Sequence, residues 1–227
     1  MQVKLSQAVK MFFGNSSLEM VFFEAIANAL DADASEINIS ITAKALNEPE
    51  TLEIEISDNG LGFTDDRYKK FSKLFDVEES SHKGLGRLVY LCYFDNVKVI
   101  SHFGNGKKLE FEFNEEFEGN KFKPVTVQEK TSGTVFKMTK YTLSRIAKNE
   151  YVSADYLKHR ILEEFYSKLF HLKNNGQELV IKINTSIDSQ HKRLILNNAD
   201  IPKFKTVDLE SSLNLIDTFH LHYSIRE

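Results

Sequence analysis

Val21 to Ala34 reads VFFEAIANALDADA, and at about 3.6 residues per turn it is apolar almost all the way round. Leu18, Val21, Phe22, Ala25 and Ala29 share one face, and Phe23, Ile26 and Leu30 widen it. A helix this apolar belongs in a core. Its polar positions, Glu24, Asn28 and Asp31, fall at i, i+4 and i+7, so all three point the same way. Such a stripe is either the solvated side of an amphipathic helix or the wall of a cavity where its charge is compensated. The helix alone leaves both readings open.

Upstream, residues 1–15 mix apolar and basic positions and predict a short helix or arm, and Ser16 or Ser17 is placed to cap the helix that follows. Downstream, Glu36 to Thr42 alternates, with Ile37, Ile39 and Ile41 on one side. That is a half-buried strand. Asn47 to Glu50 makes a turn, and Leu52, Ile54 and Ile56 alternate with Glu53, Glu55 and Ser57, which predicts a hairpin. The second strand runs straight into Asp58-Asn59-Gly60-Leu61-Gly62. Two glycines at a strand end permit positive φ and close backbone approach, and the aspartate stands where an acceptor can be aimed at a ligand. The same residues also suit an ordinary turn.

Thr64 to Phe75 predicts a short amphipathic helix with Phe71, Leu74 and Phe75 on one face, and DVEESSH over Asp76 to His82 is polar. Lys83-Gly84-Leu85-Gly86-Arg87 then precedes the apolar run LVYLCYF and reads as a glycine-rich loop opening a helix. Unpaired N–H groups at such a helix start suit phosphate. The loop fits neither the P-loop pattern nor the dinucleotide fingerprint. Strands follow at Val97 to Phe103, Lys108 to Phe113, Val125 to Gln128 and Val135 to Met138, with Gly104-Asn105-Gly106 as a hairpin turn and Ser132-Gly133-Thr134 leading into the last. Ser153 to Leu172 predicts one long amphipathic helix, and Leu179 to Ile183 another strand. After Asp188 the pattern loosens, and Phe219 to Ile225 alternates as if a new sheet began.

The chain has 227 residues, 41% hydrophobic and 27% charged, and one cysteine, Cys92, which excludes an internal disulfide and fits a reducing cytoplasm. A formal net charge of −4 gives no reason to expect nucleic acid as a partner. No apolar run is long enough to span a membrane, and the seven His show no zinc-site spacing. Hairpin-connected strands with helices on one face make a two-layer α+β sandwich.

Three signals therefore stand in a fixed order: a helix bearing Glu24, Asn28 and Asp31, a strand tip with DNGLG, and the KGLGR loop. In this the sequence resembles the GHKL superfamily, the ATPases of gyrase B, the ninety-kilodalton heat-shock chaperone, histidine kinases and MutL. Glu24-x-x-x-Asn28-Ala29-x-Asp31-Ala32 is similar to the N-box, Asp58-x-Gly60-x-Gly62 to the G1 box, Lys83-Gly84-Leu85-Gly86 to the G2 box, and Gly133-Thr134 to the short last motif. The resemblance spans residues 1–188, and 189–227 are expected to be a linker and the start of a second, transducer-like domain.

The resemblance implies a Bergerat ATP-binding fold, with a mixed, mostly antiparallel sheet and helices on one face, binding ATP or ADP with Mg²⁺. It implies that Asp58 accepts a hydrogen bond from the adenine amino group, directly and through a water shared with Thr134. Gly60 and Gly62 shape that base pocket. Asn28 binds Mg²⁺ through its side-chain oxygen, as a hard cation permits, and Glu24 orients or deprotonates the attacking water. Gly84, Leu85, Gly86 and Arg87 hold phosphates mainly through backbone N–H groups, with Lys83 beside them. Asp31 positions neighbouring groups, and Thr64 to His82 forms a short lid.

Histidine kinases, as a group, carry an asparagine-centred N-box without a hydrolytic glutamate and an upstream segment with a phospho-accepting His. Glu24, and the absence of His from residues 1–17, favour the ATPase branch, and the KGLGR form with the apolar run after it is most similar to its chaperone- and MutL-like members. The implied activity is slow ATP hydrolysis driving lid closure and nucleotide-dependent homodimerisation in a larger cytoplasmic protein. In gyrase- and MutL-like members a lysine from the downstream domain reaches the γ-phosphate, so turnover by this chain alone is expected to be slow or undetectable. A non-hydrolysing ATP/ADP sensor and a protein kinase remain as alternatives.

Overall fold

The computed structural model describes residues 9, 14, 16–72, 86–117, 119, 122–146, 148–202, 205–210 and 218–223, the last two segments as backbone. The expected N-terminal arm therefore lies almost wholly outside the described residues, as do Leu74, Phe75 and the polar run after them. Lys83, Gly84 and Leu85 lie outside them too.

Helix α1 spans Glu19–Asp31, and Leu18 together with the seven apolar residues from Val21 to Leu30 named above is buried, as the pattern predicts. Its start is not capped by a serine side chain: Leu18 occupies the cap position without a side-chain bond, and the Ser17 carbonyl accepts the Met20 N–H at 3.0 Å. Strand β1 (Glu36–Ala43) pairs antiparallel with β2 (Glu53–Asp58), Ile37 opposite Asp58, which is the expected hairpin. Helix α2 (Asp65–Ser72) buries Tyr68 and Phe71.

The helix expected to open at the glycine loop is much shorter than its apolar run suggests. One 3₁₀ turn, Gly86–Val89, is followed by the four-residue α3 (Tyr90–Tyr93), and β3 begins at once, Phe94–Phe103. Strand β4 (Lys107–Phe113) returns from the Gly104–Gly106 turn. Strand β5 is only Val125–Thr126, β6 is Gly133–Tyr141, and β6 lies between β3 and β2. The predicted long helix is interrupted at Phe165, giving α4 (Ala154–Glu164) and α5 (Tyr166–Asn174). There the Phe165 ring meets Phe23 of α1 edge-on at 6.1 Å.

Strand β7 (Val180–Ile187) pairs parallel with β1, and β8 (Gln190–Leu196) pairs antiparallel with β7. The loosened pattern after Asp188 is thus an edge strand of the same sheet. It escaped alternation because, apart from Leu194 and Leu196, β8 is exposed. The eight strands run β5-β4-β3-β6-β2-β1-β7-β8, mixed and mostly antiparallel. A separate two-stranded antiparallel ladder joins β9 (Lys205–Glu210) to β10 (Thr218–Tyr223).

The core forms between α1 and the inward row of the sheet: Ile37, Ile39, Ile41, Ile54, Ile56, Val97, Val99, Phe136 and Met138 are each at most 4% exposed. Helix α4 docks against α1 through Glu19, which accepts from the Tyr156 hydroxyl at 2.9 Å and pairs with Arg160 at 3.3 Å. The layers are those of a two-layer α+β sandwich. A second aromatic cluster, Tyr68 with Phe103, Phe111 and Phe122, seats α2 on β3 and β4.

Candidate functional site

Strand pleating decides which polar groups face α1. Ile54, Ile56 and Asp58 share a parity on β2; Val97, Val99 and Ser101 share one on β3; Thr134, Phe136 and Met138 share one on β6. Asp58 lies opposite Thr134, and Thr134 opposite Ser101. Cross-strand partners present side chains to the same face, so three oxygen-bearing groups form one row on the inward side of the sheet. Ser101 is 0% and Thr134 6% exposed.

The turn after β2 is fixed by its own side chains. Gly60 N–H donates to Asp58 Oδ1 at 2.8 Å, and Asn59 Oδ1 accepts from Ser35 and Glu36 N–H, both at 2.9 Å. Gly62 has φ +69°, and a Cβ there would stand 2.3 Å from the His102 carbonyl oxygen. No other residue fits. Burial pushes the Asp58 carboxyl above its ordinary pKa, with Gly60 N–H, the Thr134 backbone and Arg67 pulling it back.

On α1, Asn28 Nδ2 donates to Glu24 Oε1 at 3.1 Å. With the amide nitrogen so engaged, the Asn28 oxygen is left as an acceptor on an exposed residue. Glu24 is half-buried, and burial raises its pKa against the Asn28 hydrogen bond and the positive charge of Arg87. Gly86 packs on this carboxylate so closely that a Cβ would lie 2.0 Å from Glu24 Oε2. The glycine loop therefore meets the N-box helix at its acidic residue.

Arg87 follows immediately, but its guanidinium turns inward. It is 5% exposed, sits 4.9 Å above the Phe71 ring of α2, and burial lowers its pKa to about 10 against the opposing pull of Glu24. Asp31, further along α1, lies near enough to Glu24 for its charge to raise the Glu24 pKa. It ends α1, pairs with Lys168 of α5 at 3.3 Å, and its carbonyl accepts from Arg67 of α2. Reading by motif missed three residues here: Asn59, Ser101 and Tyr90. Tyr90 is fully buried beside Glu24, Asn28 and Arg87. For Ser101 a signal existed, since it is the one polar residue at a core-facing position of the Val97-Val99-Ser101-Phe103 alternation.

Residues 14–140 match the family described as histidine kinase-, DNA gyrase B- and HSP90-like ATPases. The chain belongs to this family. Domains of this GHKL family bind ATP, and the boxes named above fall inside the matched span. The chain is 32% identical over 74 residues to sporulation kinase E of Bacillus subtilis (strain 168), a stretch covering 33% of this chain and 10% of that protein. Its fold is similar to the N-terminal domain of a DNA repair protein, with TM-score 0.55 and 17% identity over 91% of this chain and 64% of that one. It is also similar to the topoisomerase IV ATP-binding domain of Francisella tularensis in complex with a small-molecule inhibitor, with TM-score 0.51 and 18% identity over 83% and 92% of the two chains. The ADP complex of the Aquifex aeolicus MutL ATPase domain gives TM-score 0.50 and 17% identity over 93% and 78%. At such identities these structures speak for the shared GHKL fold.

Proposed function

We propose that this chain is the Mg²⁺-dependent ATP-binding and slowly hydrolysing part of a conformational switch. The observation that carries the reading is the Glu24–Asn28 pair on α1, with Gly86 packed against the carboxylate. A carboxylate with a raised pKa, held at the wall of a site rather than in bulk solvent, is suited to taking a proton from water.

In this reading Asp58 accepts a hydrogen bond from the adenine amino group, directly and through a water shared with Thr134, and Gly60 and Gly62 keep the base pocket open. The amide oxygen of Asn28 fits a hard cation that takes one protein oxygen along with phosphate oxygens and waters; Mg²⁺ held there would neutralise charge on the phosphates. Glu24 orients the attacking water and receives its proton. Backbone N–H groups of Gly84, Leu85, Gly86 and Arg87, with Lys83 beside them, hold the phosphates, and Asp31 clamps the end of α1 to α5 and α2. Arg87 joins α2 to Glu24, so closing residues 64–82 over ATP is coupled to the hydrolytic carboxylate. Two protomers associate when ATP is bound, and hydrolysis resets them.

We propose further that the ATP-binding unit runs through the sheet to β8, and that the segment beyond leads into a transducer-like domain of a cytoplasmic protein. The likeness to sporulation kinase E favours protein phosphorylation as the second reading.

Calorimetric titration of ATP and ADP with and without Mg²⁺, on wild type and Asp58→Asn, tests the pocket. Binding by wild type and its loss in the variant is the expected result, and equal binding by both overturns it. Release of labelled phosphate from γ-labelled ATP, lost in Glu24→Ala, supports hydrolysis, whereas label appearing on protein supports the kinase reading.

A further inference from the structure

We propose that Ser101 is a specificity-determining positioning residue: it fixes the direction of the Thr134 hydroxyl so that the base pocket presents only acceptors to the purine 6-position. This rests on the adenine-pocket reading above. The Ser101 oxygen has one proton and two lone pairs, and three groups surround it. Phe63 N–H donates to it at 2.7 Å, the Gly133 carbonyl oxygen lies 3.2 Å away, and Thr134 Oγ1 also lies 3.2 Å away.

A peptide N–H only donates and a carbonyl only accepts, so two of the three contacts have fixed polarity. Phe63 N–H occupies one lone pair. Spending the Ser101 proton on Gly133 leaves the second lone pair for the Thr134 proton, and all three contacts are made at once. Spending it on Thr134 instead forfeits the bond to the Gly133 carbonyl and leaves a Ser101 lone pair idle. Ser101 is 0% exposed, and unmet bonds at a buried group are costly. The first arrangement is therefore the stable one.

Its consequence reaches the ligand. With its proton directed at Ser101, Thr134 turns lone pairs to its other side, beside the Asp58 carboxylate opposite it on β2. Two neighbouring acceptors suit an exocyclic amine and disfavour a 6-oxo purine, whose oxygen needs a donor. Ser101 touches no nucleotide in this scheme and acts through Thr134. It also accepts from Phe63 N–H, next to Gly62, so the turn that shapes the pocket and the hydroxyl that reads the base share one anchor.

The test compares dissociation constants for ATP and inosine triphosphate, alike except for amino against oxo at position 6 together with the ring N1 proton. Wild type, Ser101→Ala, Thr134→Val and the double variant are titrated. In Ser101→Ala the freed Thr134 hydroxyl can donate, so the preference for ATP should fall about 10-fold, with inosine triphosphate bound as well as before or better. In the Thr134→Val background, adding Ser101→Ala should leave the preference unchanged. Equal weakening of both nucleotides by Ser101→Ala shows a merely structural serine and overturns the inference, as does an undiminished effect in the Thr134→Val background. Should Ser101→Ala fail to fold, Ser101→Cys carries the same readout: its sulfur accepts the Thr134 proton only weakly and should give an intermediate preference, and an unchanged one overturns the inference. Wild type that binds both nucleotides equally, or neither, overturns the adenine-pocket reading and this inference together.

Discussion

The two ends of the candidate site are held by different kinds of bond. At the base end, Asp58, Thr134 and Ser101 sit in register across three strands, with Gly60 N–H, Phe63 N–H and the Gly133 carbonyl as partners. At the phosphate end, Glu24 is held by the Asn28 side chain, the nearby Arg87 charge and the backbone of Gly86. A sheet ladder shifts little, because its geometry is fixed by many coupled bonds. Side-chain partners on a helix and a short turn reorient more readily. In the proposed function, recognition is thus placed on the rigid end and chemistry on the adaptable one.

Glu24→Ala sharpens the contrast most. Single-turnover release of phosphate should fall by about 10²–10⁴-fold, the usual contribution of a general base, while ATP affinity stays within about threefold. An unchanged rate would remove Glu24 from the chemistry. Asp58→Asn should do the reverse, weakening ATP binding by about 100-fold, because an amide donor then faces the adenine amino group. Calorimetry decides it.

A smaller effect is expected at Arg87. Arg87→Met removes a positive charge that holds down a Glu24 pKa already raised by burial. A general base works only when ionised, so the acid limb of the rate profile should move to higher pH. A limb that stays in place would uncouple the two residues. The smallest effect is on stability. A carboxyl whose folded pKa lies above its unfolded value binds its proton more tightly when folded, so its contribution is present at low pH and lost as pH rises through that window. Neutral Glu24→Gln should therefore raise Tm at pH 8 by a few degrees at most. The gain should shrink as pH falls, and scanning calorimetry at several pH values would read it.

Much of this arrangement was legible in the chain because it follows a period. The buried faces of α1 and of the β1–β2 hairpin repeat at the helical and strand spacings, and Asp58 lies where the second strand stops. What escaped has physical causes. A run such as LVYLCYF satisfies helix and strand alike, and the sheet claims its last residue at Phe94. The interruption at Phe165 comes with a long-range contact to Phe23 that no local pattern records. The seat of the Arg87 guanidinium over the Phe71 ring and near Glu24 is a long-range contact that no motif records. Ser101 carries no motif, and only its parity marks it.

The parallel pairing of β1 with β7 also bears on how the protein is made. Ile37 waits for Ile181, about 140 residues later, before its second edge is covered. At ~5–20 residues per second of synthesis, that edge stands open for roughly 7–30 s. An uncovered edge strand with an isoleucine face is a template for pairing with another nascent chain. A strand made much later, β7, therefore acts as an intramolecular chaperone for β1, and crowding of nascent chains on one message is the circumstance in which this protein is most exposed to aggregation.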